Sequence, residues 1–339
     1  MKRILMFVLA AVMCIALASC SSNAPAATPE PEQDAPVVAA PEPEQDTPQA
    51  NEMKRVAVSL PPADNAWQAA LKRSMEEAVA GDTEIEWTIK NAIDDVDQTN
   101  MLTTFKDGGY DLIACLPGDG TLQTAILVEI FEAGIPTIII DRDIESDQKT
   151  SFVAEDNYTC GVVAADFIGE FFAGKDSIQL VNLRSYAGIP IDLSRFNGFA
   201  DTIVKYDNIS LIGEGDGEFN QDAGYKAMSD LLAAHDQIDV VFTHDDEAVS
   251  GAMAAIEEQG RTDIQLITGM GGTVSALNRI KADNTIQKAC SSYFPRIGAQ
   301  SVDVIRDFFA NGSVDKDNVR DSVLITKDNV DEFMPYAYE

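Results

Sequence analysis

From Lys54 onward the chain alternates short apolar runs with longer stretches of helical spacing, and that alternation leaves few folds open. Runs of strand length occur at 56–60, 85–89, 111–116, 137–140, 178–181, 210–212, 240–242, 265–267 and 285–290. Between the first two, Trp67, Ala70, Leu71, Ser74, Met75, Ala78 and Val79 share one face at a helical period. Strands that alternate with such helices imply βαβ units and parallel sheets. Near-continuous apolar strands such as Thr137-Ile138-Ile139-Ile140 fit a sheet covered on both faces.

A chain of 339 residues has room for two domains with complete cores. Its 56 acidic against 24 basic residues give a net charge of −32, which repels phosphate backbones and anionic headgroups and argues against nucleic acid as a partner. The five cysteines, at 14, 20, 115, 160 and 290, form no CxxC pair and no zinc-like spacing. Cys115 and Cys290 sit in apolar runs, where a free thiol packs as a small core residue, and no disulfide framework is expected. His235 and His244 are the only histidines, too few for the usual imidazole metal sites.

The first fifty residues differ from the rest. Lys2 and Arg3 precede an apolar run over 4–17, a basic start and short core of the kind a secretory signal has. Leu17-Ala18-Ser19-Cys20 resembles the lipobox of bacterial lipoproteins, which implies cleavage before Cys20 and acylation of its thiol. Acyl chains, not a helix, would then hold the protein to the membrane. Residues 21–52 carry seven prolines and the hexapeptide PEPEQD twice, the composition of an extended spacer.

In the folded part, polar or glycine-rich loops follow the strands: 61–65, 117–120, 141–143, 182–184, 244–246 and 269–272. Ligands of open parallel sheets bind beyond the carboxyl ends of the strands, so these loops form the candidate site. Signatures of catalysis are missing. Neither 118–120 nor 269–272 makes a GxGxxG fingerprint, and the chain has no GxxxxGK[ST] loop and no GxSxG elbow. Asp245-Asp246-Glu247 lacks calcium-loop spacing and suits a helix start better than a metal. No nucleophile–base pair emerges, and a binder rather than an enzyme is expected, without cofactor or metal. Asn65 with Trp67, Asp141 with Arg142, and Arg195, Phe219 and Asp245 combine planar hydrogen-bonding groups with aromatic faces, as a neutral polyhydroxylated ligand requires.

The order of these motifs resembles the ribose/galactose type of periplasmic sugar-binding protein over about 280 residues. The first strand with Asn65-Ala66-Trp67 is similar to that family's first ligand loop, and Gly134-Ile135-Pro136 through Asp141-Arg142 to its Gly-Ile-Pro-Val segment with its Asp-Arg pair. Residues 154–157 with Gly161 resemble the first lobe crossing. Arg195 before Gly198-Phe199, Asp245 in 241–248, and the terminal strand at 323–330 continue the series. The resemblance implies an α/β fold of two doubly wound parallel-sheet lobes joined by a three-crossing hinge, the type I periplasmic binding protein. The implied organisation is a signal peptide at 1–19, a lipid-anchored linker at 20–53, an N-terminal lobe at 54–156 with 293–321, and a C-terminal lobe at 157–292 with 322–339. Asn65, Trp67, Asp141 and Arg142 would then bind ligand from the first lobe, and Arg195, Phe219 and Asp245 from the second, with Ser292 or Tyr293 donating near the third crossing.

Two positions depart from the family pattern. Asp245 stands where relatives often carry Asn, and Gly271 where many carry a ligand carboxylate. Losing that acceptor costs about 1–3 kcal/mol for a ligand built to use it, so the cargo is expected to differ from the common pentose or hexose, or another group must compensate. The implied role is an extracytoplasmic, monomeric lipoprotein that captures a monosaccharide or sugar alcohol and delivers it to an ABC permease in the same membrane. A sugar-sensing subunit that presents ligand to a membrane kinase or chemoreceptor would use the same lobes and stays open. A DNA-binding repressor of this fold would need a helix-turn-helix before Lys54, where signal and spacer stand instead.

Overall fold

The computed structural model describes residues 53–63 and 65–339; the expected signal peptide, the expected acylation at Cys20 and the expected spacer fall outside the described residues. The first lobe is built from β1 (Lys54–Leu60), α1 (Ala66–Val79), β2 (Ile85–Asn91), α2 (Asp95–Lys106), β3 (Leu112–Cys115), α3 (Gly120–Glu132), β4 (Thr137–Ile140) and β5 (Ser151–Glu155). The second holds α4 (Asn157–Phe171), β6 (Ile178–Arg184), α5 (Pro190–Ile203), β7 (Ile209–Asp216), α6 (Gln221–Ala234), β8 (Val240–Thr243), α7 (Asp246–Glu258), β9 (Leu266–Gly271), α8 (Val274–Ala282) and β10 (Gln287–Ser292). Helix α9 (Ile297–Asn311) and strand β11 (Asp317–Arg320) return to the first lobe, and β12 (Leu324–Thr326) and α10 (Val330–Phe333) finish in the second.

Each sheet has six strands, ordered β11-β5-β4-β3-β1-β2 in one and β12-β10-β9-β8-β6-β7 in the other. All pairings are parallel except β10 with β12. These are the two doubly wound α/β lobes that the sequence implies. Strand order reverses beside β1 and beside β6, and such switch points open a crevice at the carboxyl edge of the sheet. The chain passes between sheets three times, after β5, after β10 and after β11.

Strand alternation explains the layers. Val56 and Val58 pack with Leu71 and Met75 of α1 and Val302 and Ile305 of α9, while Ala57 between them faces Leu102, Phe105 and Leu127 on the other side. In the second lobe Val181 and Val241 meet Met228 and Val249, whereas Leu180, Val240 and Phe242 meet Ile168 and Phe199. Each such fully buried aliphatic side chain contributes about 1.5–3 kcal/mol. Cys115, Cys160 and Cys290 are free and buried.

Each of the nine apolar runs overlaps a strand; 137–140 coincides with β4, and the others differ from their strands at one end or both by a few residues. Three strands have no counterpart among the runs, of which β12 falls in the 323–330 stretch that the resemblance marks and β5 and β11 remain. Strand β5 reads Ser-Phe-Val-Ala-Glu, with its polar ends buried, and β11 reads Asp-Asn-Val-Arg and is mostly exposed at the sheet edge. Neither carries a continuous apolar signal, because β11 gains its place from pairing with β5 rather than from burial.

Candidate functional site

Asx side chains terminate many of the strand-end loops and start the helices after them. Asn65 caps α1, accepting the Gln68 N–H at 2.9 Å, and Asp245 caps α7, accepting the N–H groups of Glu247 at 2.8 Å and Ala248 at 3.1 Å through Oδ1. A carboxylate used this way keeps its second oxygen for something else, and Oδ2 of Asp245 accepts no hydrogen bond among the described residues. Both caps line a cavity between the lobes whose atom-free space, mouth included, is about 560 Å³.

From the first lobe, Asp141 and Arg142 enter at the end of β4. Asp141 takes a left-handed backbone (φ 63°), an uncommon conformation for a residue with a side chain and one that turns its carboxylate into the cleft. Its Oδ1 accepts a hydrogen bond from the Tyr293 hydroxyl. Arg142 is fixed by the Gly118 carbonyl at 2.9 Å, with its Nε 3.7 Å from Asp141. Trp67, in the first turn of α1, donates its indole N–H to the Tyr293 carbonyl at 3.0 Å, and the two rings lie 5.7 Å apart.

From the second lobe comes Arg195 on α5. Only 4% exposed, it donates Nε to Asn157 Oδ1 at 2.9 Å and Nη1 to the His244 carbonyl at 2.7 Å, while its guanidinium sits 4.7 Å from the Tyr293 ring and 5.7 Å from that of Phe219. Asn157 donates in turn to the Tyr293 hydroxyl at 3.1 Å. A chain of hydrogen bonds thus runs from Asp141 through Tyr293 and Asn157 to Arg195, across both lobes. Phe219 also has a left-handed backbone (φ 53°) and packs edge-on against Tyr186 at 5.8 Å. Beneath Arg195, His244 Nδ1 lies 3.1 Å from Asp192 Oδ1, and Arg184 closes on Asp192 Oδ2 at 2.5 Å. Burial pushes His244 down to about 4, so it is neutral at pH 7.

Seven of the eight residues expected at the site therefore line one cavity: Asn65, Trp67, Asp141, Arg142, Arg195, Phe219 and Asp245. Ser292 does not. Its Oγ accepts the Val323 N–H at 2.9 Å and its carbonyl accepts the Ser322 hydroxyl at 2.9 Å, so it ties β10 to the third crossing. Side chains alternate along an extended backbone, and it is the neighbouring Tyr293 that reaches the cavity. Glu247, Met270 and Tyr338 line it as well. Glu247 is legible as the second residue of α7, whereas Tyr338 lies far along the chain from every strand-end loop and carries no local signal.

Burial, and then the Asp246 charge, push the Asp245 carboxyl from its ordinary 3.8 up to about 7. Between those values the folded state holds a proton that the unfolded chain has released, so this group's contribution to stability falls as pH rises from about 4 to 7. Asp245→Asn keeps an oxygen for the cap and removes the ionisation. Its melting temperature relative to wild type should climb across that interval and level off above it, by several degrees. A difference that stays flat from pH 4 to 7.5 in calorimetric scans would contradict the shift.

Two α/β lobes with polar and aromatic groups converging on the cleft between them form a ligand-binding architecture. The family model described as "periplasmic binding protein domain" matches residues 56–312, and the chain belongs to that family. Membership implies an extracytoplasmic location and a binder rather than an enzyme. The chain is 27% identical over 173 residues to the ribose import binding protein of Salmonella typhimurium, an alignment that covers 51% of this chain and only 57% of that relative. It is 26% identical over 262 residues to the ribose import binding protein of Bacillus subtilis, covering 77% of this chain and 83% of the relative. Its fold is similar to that of an ABC transporter solute binding protein from Bacillus halodurans solved with bound myo-inositol (TM-score 0.76, 24% identity, 84% and 98% of the two chains covered).

Proposed function

We propose that the protein captures a monosaccharide or sugar alcohol between its lobes and delivers it to an ABC permease. The observation that carries this reading is the composition of the cavity. Asp141, Arg142, Arg195 and Asp245 are each held by other protein groups while keeping polar atoms at the cavity wall, and the rings of Trp67, Phe219 and Tyr293 flank them. Fixed donors and acceptors can bridge neighbouring hydroxyls, and aromatic faces cover the C–H side of a sugar at low entropic cost. The ribose import relatives and the myo-inositol bound to a structural neighbour support a cargo of this chemical class.

In this reading the lobes 54–156 with 293–321 and 157–292 with 322–339 close about the three crossings by hinge motion. Acyl chains on Cys20 and the proline-rich spacer keep the monomeric domain near its permease. Titration calorimetry of the purified protein with D-ribose, L-arabinose, D-allose, D-fructose, xylitol and myo-inositol tests the cargo. At least one should bind in the micromolar range or tighter, and a panel with no heat of binding at millimolar sugar would sink the assignment. For the tether, Cys20→Ser should move the protein from the membrane to the soluble fraction of fractionated cells; an unchanged distribution would remove the lipid anchor.

A further inference from the structure

Gly271 closes β9 with φ +134°, a backbone conformation that disfavours any side chain. A Cβ built there would stand 2.7 Å from the hydroxyl oxygen of Tyr338. The wall of the cavity that position 271 leaves bare is thus filled from a distant part of the chain. Several contacts fix that segment. Tyr338 pairs with Thr273 in an isolated parallel bridge, and its carbonyl accepts the Val274 N–H at 3.0 Å. Just before it, the Tyr336 ring lies 4.1 Å from the Arg296 guanidinium. Tyr338 is 7% exposed and lines the same cavity as Asp245.

The phenol is unusual in one respect: its hydroxyl makes no hydrogen bond to any described residue, although buried tyrosines ordinarily find a partner. Burial, together with the charges of Asp245 and Asp246, drives its ionisation well above the ordinary value, so it stays a donor throughout the physiological range. Asp245, whose Oδ2 is likewise unused, lines the same cavity and acts on the phenol through its charge; once ionised it is an acceptor. A phenol donor and an ionised carboxylate lining one cavity suit a single ligand hydroxyl, whose oxygen accepts the phenol O–H and whose own O–H donates to the carboxylate.

We propose that Tyr338 is a specificity-determining residue, which with Asp245 grips one hydroxyl at this end of the ligand and whose ring bounds the cavity there. The inference rests on the sugar-binding reading above and adds to it a requirement: the cargo carries a hydroxyl at the 271/338 end, and its analogue lacking that hydroxyl is discriminated against.

Tyr338→Phe keeps the ring and removes only the hydroxyl. Calorimetric titration of wild type and variant with the six-compound panel, and with the monodeoxy analogues of each compound that binds, provides the test. The variant should melt within about a degree of wild type and bind the parent compound about 5- to 30-fold more weakly. One monodeoxy analogue should bind both proteins equally, because the hydroxyl that the phenol would have met is already gone. A purely packing role moves neither number, so equal affinity of the two proteins for the parent overturns the proposal while leaving the sugar reading intact. A loss of the same size for the parent and for every analogue overturns it too, by showing that the hydroxyl acts through the fold. A wild type that binds no member of the panel removes the sugar reading itself, and this inference with it. Tyr338→Ala supplies a second readout. Opening the wall should weaken discrimination between the parent and its deoxy analogue even if it costs several degrees of stability, and discrimination that survives the truncation counts against the proposal.

Discussion

Arg195→Ala should lower affinity for the cargo roughly a hundredfold or more. The guanidinium is almost fully buried, yet it is held from behind, by Asn157 Oδ1 and the His244 carbonyl, so it meets a ligand without first being ordered. Truncating one member of a buried, hydrogen-bonded charge network costs about 2–5 kcal/mol, much of it from the groups left unpaired. Here those groups are Asn157 Oδ1 and the His244 carbonyl on one side and the ligand oxygens on the other. Loss of Asn157's partner also frees the hydrogen-bond chain that reaches Asp141 through Tyr293, so the effect should spread to the first lobe. Arg195→Lys is the informative companion. It keeps the charge, but a single ammonium cannot serve Asn157, the His244 carbonyl and a ligand in the fixed geometry of the fork. Both variants should therefore bind weakly in calorimetry, the lysine less severely. A lysine variant that binds like wild type would mean that Arg195 supplies charge alone, and an alanine variant within threefold of wild type would remove it from the site.

What the sequence makes legible follows from how local each signal is. Strands such as 137–140 announce themselves because both faces are covered and three successive isoleucines fill them. Asn65 and Asp245 are legible for a different reason: a helix cap after a strand is a local chemical requirement, and in this topology the cap sits where ligands bind. Strand β11 leaves no such trace, since pairing with a strand more than 150 residues away gives it its shape. Choosing between Ser292 and Tyr293 depends on the parity of one extended backbone, which resemblance alone does not fix. Tyr338 is the extreme case. Its place is set by a glycine at 271 whose missing side chain it replaces, a coupling visible only when the two segments are seen together.

Gly198→Ala should destabilise the protein by about 3 kcal/mol or more and take the binding site with it. Helices α4 and α5 cross so closely that a Cβ at Gly198 would stand 1.9 Å from the Tyr158 carbonyl oxygen, and one at Gly161 would stand 2.1 Å from that of Arg195. Both obstacles are backbone, so no rotamer change relieves them. Overpacking of ordinary cores costs about 1–3 kcal/mol because side chains can shift, and a clash against backbone lies at or beyond the upper end. The helices must separate, and Arg195, three residues before Gly198 on α5, moves with its helix away from Asn157 at the start of α4. The same pair of glycines that lets the second lobe pack is thereby what sets the reach of its guanidinium. Calorimetric scans should show a loss on the order of 10 °C, and at a temperature where the variant remains folded its affinity for the cargo should still be reduced. Asn197→Ala, exposed on the same helix, should change neither. A Gly198→Ala protein with wild-type stability would mean that the crossing is looser than its backbone contacts indicate, and one that loses stability but binds normally would uncouple the position of Arg195 from the helix crossing.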